Sequence, residues 1–144
     1  MKKRIVIDCN IFGSVLLGGS TREQFVELLK LQNSSSVKIH YCDELIIEIE
    51  KLATLKYFMD KGITEAIITE FISFLKSRSK RISLKSDIAS NTDKKGNFLL
   101  NLSVDSKLHY LITHDKNLLA VSRIKNTEIL TLDDFLTSIN DYPF

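Results

Sequence analysis

One proline, two cysteines and no long apolar run mark this 144-residue chain. The proline, Pro143, stands at the extreme end, and no low-complexity tract or repeat divides what precedes it. A single domain over residues 1–144, long enough to bury a proper core, is therefore expected. Cys9 and Cys42 fall at no metal-binding spacing and make no disulfide framework, so reduced thiols in a cytoplasmic protein are expected. No apolar stretch approaches the roughly 18 residues of a membrane span, which argues against a membrane protein. The basic start, Met1-Lys2-Lys3-Arg4, leads into an apolar run broken at once by Asp8 and Asn10, so it reads as a strand and not as a signal peptide. A Gly-rich phosphate loop, a dinucleotide fingerprint and the signals of seryl or cysteinyl hydrolases are all missing. His40, His109 and His114 sit at no metal-ligand spacing and read as ordinary surface or partly buried imidazoles. Charge of one sign is not in excess either. The net charge of +2 excludes no class of partner.

What is present begins with Ile5-Val6-Ile7, three β-branched residues typical of a strand buried on both faces, followed by Asp8, Cys9 and Asn10. Ligands in open α/β sheets sit at the carboxyl ends of strands, where Asp8 falls; the bland alternative is that Asp8 caps a turn. A second strand, Tyr110-Leu111-Ile112-Thr113, leads in the same way to Asp115.

Between them, Ser20-Thr21-Arg22-Glu23 reads as a capping box opening a helix to about Asn33, with Phe25, Leu28 and Leu29 at helical spacing. Val37-Lys38-Ile39-His40-Tyr41 alternates as a strand, and Asp43 is expected to cap a helix carrying Leu45, Ile49 and Leu52 inward. A helix from about Thr64 carries Ile67, Ile68, Phe71, Ile72 and Leu75; residues 80–84 are a strand candidate, and a polar segment spans 85–96. A helix with Phe98, Leu99 and Leu102 follows, then a last strand, Thr127-Glu128-Ile129-Leu130, and a short helix capped by Thr131 with Asp134. Strands alternating with helices give an α/β fold with a central, mostly parallel sheet, wound right-handed.

Acid is the chemistry that remains. Asp8 and Asp115 end strands, while Glu44 and Glu48 lie four apart on one helix face, a spacing that solvated charges also adopt. Carboxylates gathered from several elements do not all ionise cheaply without a cation, and hard oxygen ligands suit Mg²⁺ or Mn²⁺. Such ions activate water and stabilise a leaving oxygen, so the reaction implied is phosphodiester hydrolysis, with Asn10, Ser14 and Thr113 close enough in sequence to assist. Lys76, Arg78, Lys80, Arg81 and Lys85, followed by Lys94 and Lys95, form a basic stretch that either neutralises phosphates or is simply a solvated helix end and edge strand.

Four stretches in order make the chain resemble the PIN domain family, and within it the VapC-like toxins of bacterial toxin–antitoxin pairs. Ile5-Val6-Ile7-Asp8-Cys9-Asn10-Ile11 is similar to the family's opening strand with Asp, Thr and Asn, Cys9 replacing Thr, and Ser14 falls where the family commonly has Ser. Asp43-Glu44-Leu45-Ile46-Ile47-Glu48-Ile49 resembles the segment whose last acid is a metal ligand, which puts that role on Glu48 and not on Glu44. Leu111-Ile112-Thr113-His114-Asp115-Lys116-Asn117-Leu118-Leu119 resembles the strand, Thr, Gly, Asp, Lys, Asp run, with Thr113 and Asp115 at site positions, His114 for Gly and Asn117 for Asp. The closing Ile129-Leu130-Thr131-Leu132-Asp133-Asp134-Phe135-Leu136 is also similar. The resemblance implies a three-layer PIN-like fold. It further implies Mg²⁺- or Mn²⁺-dependent cleavage of an RNA substrate, a homodimer and a cognate antitoxin. Asp8, Glu48 and Asp115 would be metal ligands, and Thr113, Asn10 and Ser14 polar support.

One position departs. Asp93-Lys94-Lys95-Gly96-Asn97-Phe98-Leu99-Leu100 matches the family's Asp, Pro, Lys, Asp, Asn, Phe, Leu, Leu, except that its third site acid is Gly96. A glycine supplies no ligand, so weakened metal binding and slowed hydrolysis are expected, whether through natural loss or a silencing substitution, with Asp93 a partial substitute three residues away. Two other classes stay open: a non-catalytic PIN-fold module binding RNA or a partner, and a phosphatase or receiver domain using Asp8 as nucleophile. The second usually carries an Asp two residues on, where this chain has Asn10.

Overall fold

The structure is a computed structural model that describes residues 2–84 and 97–140. Its centre is β1 (Lys3–Ile7), in a six-stranded sheet of order β3-β2-β1-β4-β6-β5. β2 (Val37–Tyr41) and β4 (Tyr110–Ile112) flank β1 in parallel; β3 (Lys80–Arg81) joins β2 and β6 (Thr127–Leu130) joins β4, again in parallel. Among the described residues only β5 (Arg123–Ile124) runs antiparallel, against β6. This is the α/β class with a mostly parallel central sheet that the strand–helix alternation predicts. Ile5, Val6 and Ile7 expose no surface. Successive strand side chains point to opposite faces, so both faces of the sheet are covered at its centre.

α1 (Cys9–Leu17) and α2 (Ser20–Asn33) connect β1 to β2. α3 (Asp43–Lys51), a 3₁₀ turn at Leu52–Thr54, α4 (Lys56–Asp60) and α5 (Glu65–Arg78) follow β2. α6 (Asn97–Asp105) precedes β4, α7 (Lys116–Val121) follows it, and α8 (Leu132–Asn140) comes after β6. Phe12 of α1 packs edge-on against Phe25 of α2 and Phe71 of α5, with centroids 5.9 and 5.6 Å apart. Tyr110 of β4 meets Phe135 of α8 at 5.0 Å. Phe12 and Phe135 are fully buried, and truncating either to alanine costs about 3–5 kcal/mol in such a core.

Several local expectations need correction. The capping box at Ser20 does not form. Gly18 and Gly19 both take positive φ (96° and 84°), Gly19 occupies the N-cap position, and no side chain caps α2. Arg22 instead donates to the carbonyls of Val15 (2.9 Å) and Leu16 (2.8 Å), satisfying the end of α1. Asp43 does not cap α3 either, because Cys42 holds the N-cap position. The Asp43 carboxylate receives the fork of Arg81 at 2.9 and 2.6 Å, a pair that holds it below the usual carboxylate range. The strand expected over 80–84 is only two residues long. Helices α1, α4 and α7 and the strand β5 have no counterpart in the sequence reading. The cap at Thr131 forms as expected, its hydroxyl accepting from the Asp134 N–H at 3.0 Å, and Thr64, where a helix start is expected, caps α5 by accepting from the Ile67 N–H at 3.2 Å. The polar segment 85–96 lies outside the described residues.

Candidate functional site

From β1 the chain steps outward to β2 on one side, while the later strands β4, β6 and β5 fill the other. The boundary between β1 and β4 is thus the switch point of the sheet, where side chains at the strand ends are held apart from covering helices. The two strands run in register, Ile7 opposite Ile112, and the Asp8 N–H donates to the Ile112 carbonyl at 2.8 Å. That bond fixes Asp8 beside Thr113.

Asp8 both caps a helix and faces the site. Its Oδ1 accepts from the Cys9 N–H at 2.7 Å at the start of α1, and its Oδ2 accepts from the Thr113 hydroxyl at 2.7 Å. Thr113 is fully buried, its own N–H spent on the Leu130 carbonyl of β6. The same hydroxyl oxygen accepts from the Asp115 N–H (3.0 Å) and from the Asn10 side-chain amide (3.5 Å). One donated and two accepted bonds use the full capacity of a hydroxyl. The amide oxygen of Asn10 accepts from the His114 N–H at 3.2 Å, so Asn10 ties α1 to the turn after β4 twice. Asp115 in turn caps α7, accepting from the Asn117 N–H at 2.8 Å. Thr113 is the hub of this network, joining two segments over a hundred residues apart.

Asp8 and Asp115 line one cavity of about 360 Å³, together with Asn10 and Ser14. Along α1, Asn10, Gly13, Ser14 and Leu17 recur at the spacing of one helix face and all line it. Leu52 and Phe58 complete the wall beside Leu17. Glu48, half-buried on α3, is not in this cavity. It lines a neighbouring one of about 450 Å³, and the two share Cys9 and Leu52 as a common wall. Glu44 is exposed, and Asn117 contributes its backbone N–H to Asp115. Asp93 and Gly96 lie outside the described residues.

The remaining candidates are accounted for by packing. Burial pushes the Cys42 thiol up to about 12, so it is no nucleophile near neutral pH. His40 and His109 line no part of this cavity, and the Nδ1 of His109 accepts the Arg4 N–H at 2.8 Å. His114 is held below its ordinary value by desolvation, with the Asp8 carboxylate pulling the other way. The basic stretch is partly committed: Arg78 lies over the Phe74 ring at 4.9 Å and Arg81 pairs with Asp43.

Among the described residues, no group of three or more His, Cys, Asp or Glu side chains is gathered closely enough to hold a metal ion. Apart from the Cys9 thiol in its wall, the donors that share the cavity are hard oxygen: two carboxylates, the Asn10 amide and the Ser14 hydroxyl. That set fits Mg²⁺ or Mn²⁺, which take one or two carboxylates and complete their shells with water and substrate phosphate. No helix is long and apolar enough to cross a membrane among the described residues. The apolar wall of Leu17, Leu52 and Phe58 is the part of the site that sequence reasoning misses. Leu17 stands seven residues after Asn10 on the same face of α1, a relation that shows only once the helix is known.

A sequence model described as PIN domain matches residues 4–117 of the chain. No curated protein and no solved structure matches it.

Proposed function

The chain belongs to the PIN domain family, whose members are generally nucleases that use divalent metals and bind RNA, and on that premise we propose an Mg²⁺- or Mn²⁺-dependent endoribonuclease. It hydrolyses RNA phosphodiesters as the VapC-like toxin of a pair whose cognate antitoxin silences it. The observation that carries the reading is the Thr113 hydroxyl bridging Asp8 and the Asp115 backbone at the sheet's switch point. Residues 1–144 act as one cytoplasmic domain that pairs as a homodimer.

Asp8 and Asp115 would hold the cation, with Glu48 contributing from the adjoining cavity directly or through water. When bound there, a divalent cation would supply neutralisation of the paired acids, an acidified water and relief of charge on the leaving oxygen. Thr113 is a positioning residue: its donated bond fixes which face of the Asp8 carboxylate turns to the cavity. Asn10 locks the His114–Asp115 turn against α1, so the two acids keep their spacing. Ser14, one turn along α1 from Asn10, offers a hydroxyl to a phosphate oxygen. Gly96 stands where the family's third acid belongs and impairs this copy.

That glycine favours a second reading, a PIN-fold module that binds RNA or a partner without cutting. Cleavage of single-stranded RNA in Mn²⁺ or Mg²⁺, measured for this chain, for Gly96→Asp and for Gly96→Asp combined with Asp8→Asn, separates the two. The nuclease reading expects Gly96→Asp to cut and Asp8→Asn to abolish the gain. Three inert proteins that still bind RNA give the module reading.

A further inference from the structure

The cavity beside Asp8 is polar at one end and apolar at the other, and we infer that it seats one whole nucleotide, with the phosphate at the acids and an unstacked base against Leu17, Leu52 and Phe58. The inference rests on the nuclease reading for the phosphate end and goes beyond it by assigning the base a site. α1 sets the scale. Asn10 and Leu17 are two turns apart on the face that lines the cavity, about 10 Å along the axis at 1.5 Å per residue, the length of a nucleotide from phosphate to outer base edge. A volume of about 360 Å³ lies within the range of small-ligand sites.

The apolar end is built to stay open and fixed. A Cβ on Gly13 would meet the Phe58 ring at 3.1 Å, so the ring rests against helix backbone that only glycine leaves bare. Tyr57 braces the same ring edge-on at 5.8 Å. Arg22 holds the carbonyls of Val15 and Leu16, the residues just before Leu17, which fixes the end of the α1 backbone from which Leu17 projects. Leu17 is 38% exposed, so a base laid on it covers apolar surface now open to water. No side chain of the Leu17, Leu52 and Phe58 wall carries a hydrogen-bonding group. A base is therefore held by contact area and not by its edge pattern, which makes cleavage sequence-tolerant but dependent on an unpaired base. A paired base is unable to leave its stack without a cost of a few kcal/mol.

The test uses short single-stranded oligoribonucleotides, one carrying 2-aminopurine and one with an abasic residue at the same place, bound to the full chain in Mg²⁺ and followed by fluorescence anisotropy through a terminal dye. The base-bearing oligonucleotide is expected to bind about tenfold more tightly, in line with alanine substitutions at base-stacking side chains. Leu17→Ser, at an exposed position that tolerates polarity, should remove most of that tenfold difference and leave the abasic oligonucleotide's affinity unchanged. Equal affinity for the two oligonucleotides overturns the inference, as does an equal loss for both in Leu17→Ser or no binding by either. Cleavage by the Gly96→Asp variant, assayed alongside, reports on the nuclease reading separately. Cutting without base-dependent affinity sinks the nucleotide seat alone, and base-dependent affinity without cutting sinks the nuclease alone.

Discussion

Replacing Thr113 by valine removes one hydroxyl from a fully buried position and keeps the side chain's shape. The Asp8 Oδ2 loses a 2.7 Å donor and the Asp115 N–H loses its 3.0 Å acceptor. A hydrogen bond to a charged group contributes about 1.5–3 kcal/mol, and the part-buried Asp115 N–H stranded by the change adds up to about 1 kcal/mol. Some of this is offset by the apolar methyl that replaces the hydroxyl, so the net loss is about 2–4 kcal/mol. For a chain of this size, at roughly 3 °C per kcal/mol, the unfolding midpoint should fall by about 6–12 °C. Urea unfolding followed by circular dichroism, in chelator so that no cation masks the effect, measures the difference directly. Thr113→Ser is the control. It retains the hydroxyl and loses one methylene-sized group, so it should cost only about 1 kcal/mol. A Thr113→Val protein within about 0.5 kcal/mol of the parent, or a serine variant as damaged as the valine one, refutes the hub assigned to this hydroxyl.

Cation binding should be visible without catalysis. At 100 times its dissociation constant Mn²⁺ should stabilise the Gly96→Asp variant by about 2.7 kcal/mol, a rise of about 8 °C in differential scanning fluorimetry, and Asp8→Asn should erase it. Stability should also decline in mild acid. His40 and His109 are both held below the ordinary 6.5, chiefly by burial and then by nearby Arg4 with Lys80 or Lys3. The unfolded chain therefore takes up more protons; their contribution is complete above pH 6.5 and lost as pH falls through the folded values. The urea midpoint should drop between pH 7.5 and 5.5, and a flat profile contradicts the assignment. Finally, Arg81→Ala should let the Asp43 carboxyl titrate nearer its ordinary value, read by NMR, because the guanidinium bond is the first cause of its lowering.

The parts of the fold legible in sequence are those where one local signal decides. Val37 to Tyr41 alternates, Thr127 to Leu130 sets β-branched Thr127 and Ile129 on its buried face, and α2 ends where three serines follow Asn33. The misreadings are cases where another group displaces the expected one. Asp43 looks like a cap until Arg81, 38 residues later, takes its carboxylate. Ser20 looks like a cap until two glycines at positive φ set the helix entry themselves. α1 goes unassigned in the sequence reading, because Asn10, Gly13 and Ser14 break up the apolar pattern after β1. Yet Ile11, Phe12, Val15 and Leu16, all buried, carry a helical stripe beneath them. At the site, Asp8, Asn10, Thr113 and Asp115 could be named because polar residues at strand ends stand out. Leu17, Leu52 and Phe58 could not, since an apolar residue facing a cavity is spelled the same as one facing the core. The separation of Glu48 into an adjoining cavity is likewise a matter of helix placement that residue spacing does not encode.

The bond between Thr113 and Asp8 spans 105 positions of the chain, and it sets a schedule for synthesis. A ribosome finishes β1 and α1 early, but Asp8 has neither the strand at its side nor the hydroxyl that orients it until β4 has been made and has left the exit tunnel. The acid cavity therefore comes into being only once residues 113–115 have emerged. A product truncated before residue 113 lacks both the hydroxyl that orients Asp8 and the second acid of the cavity.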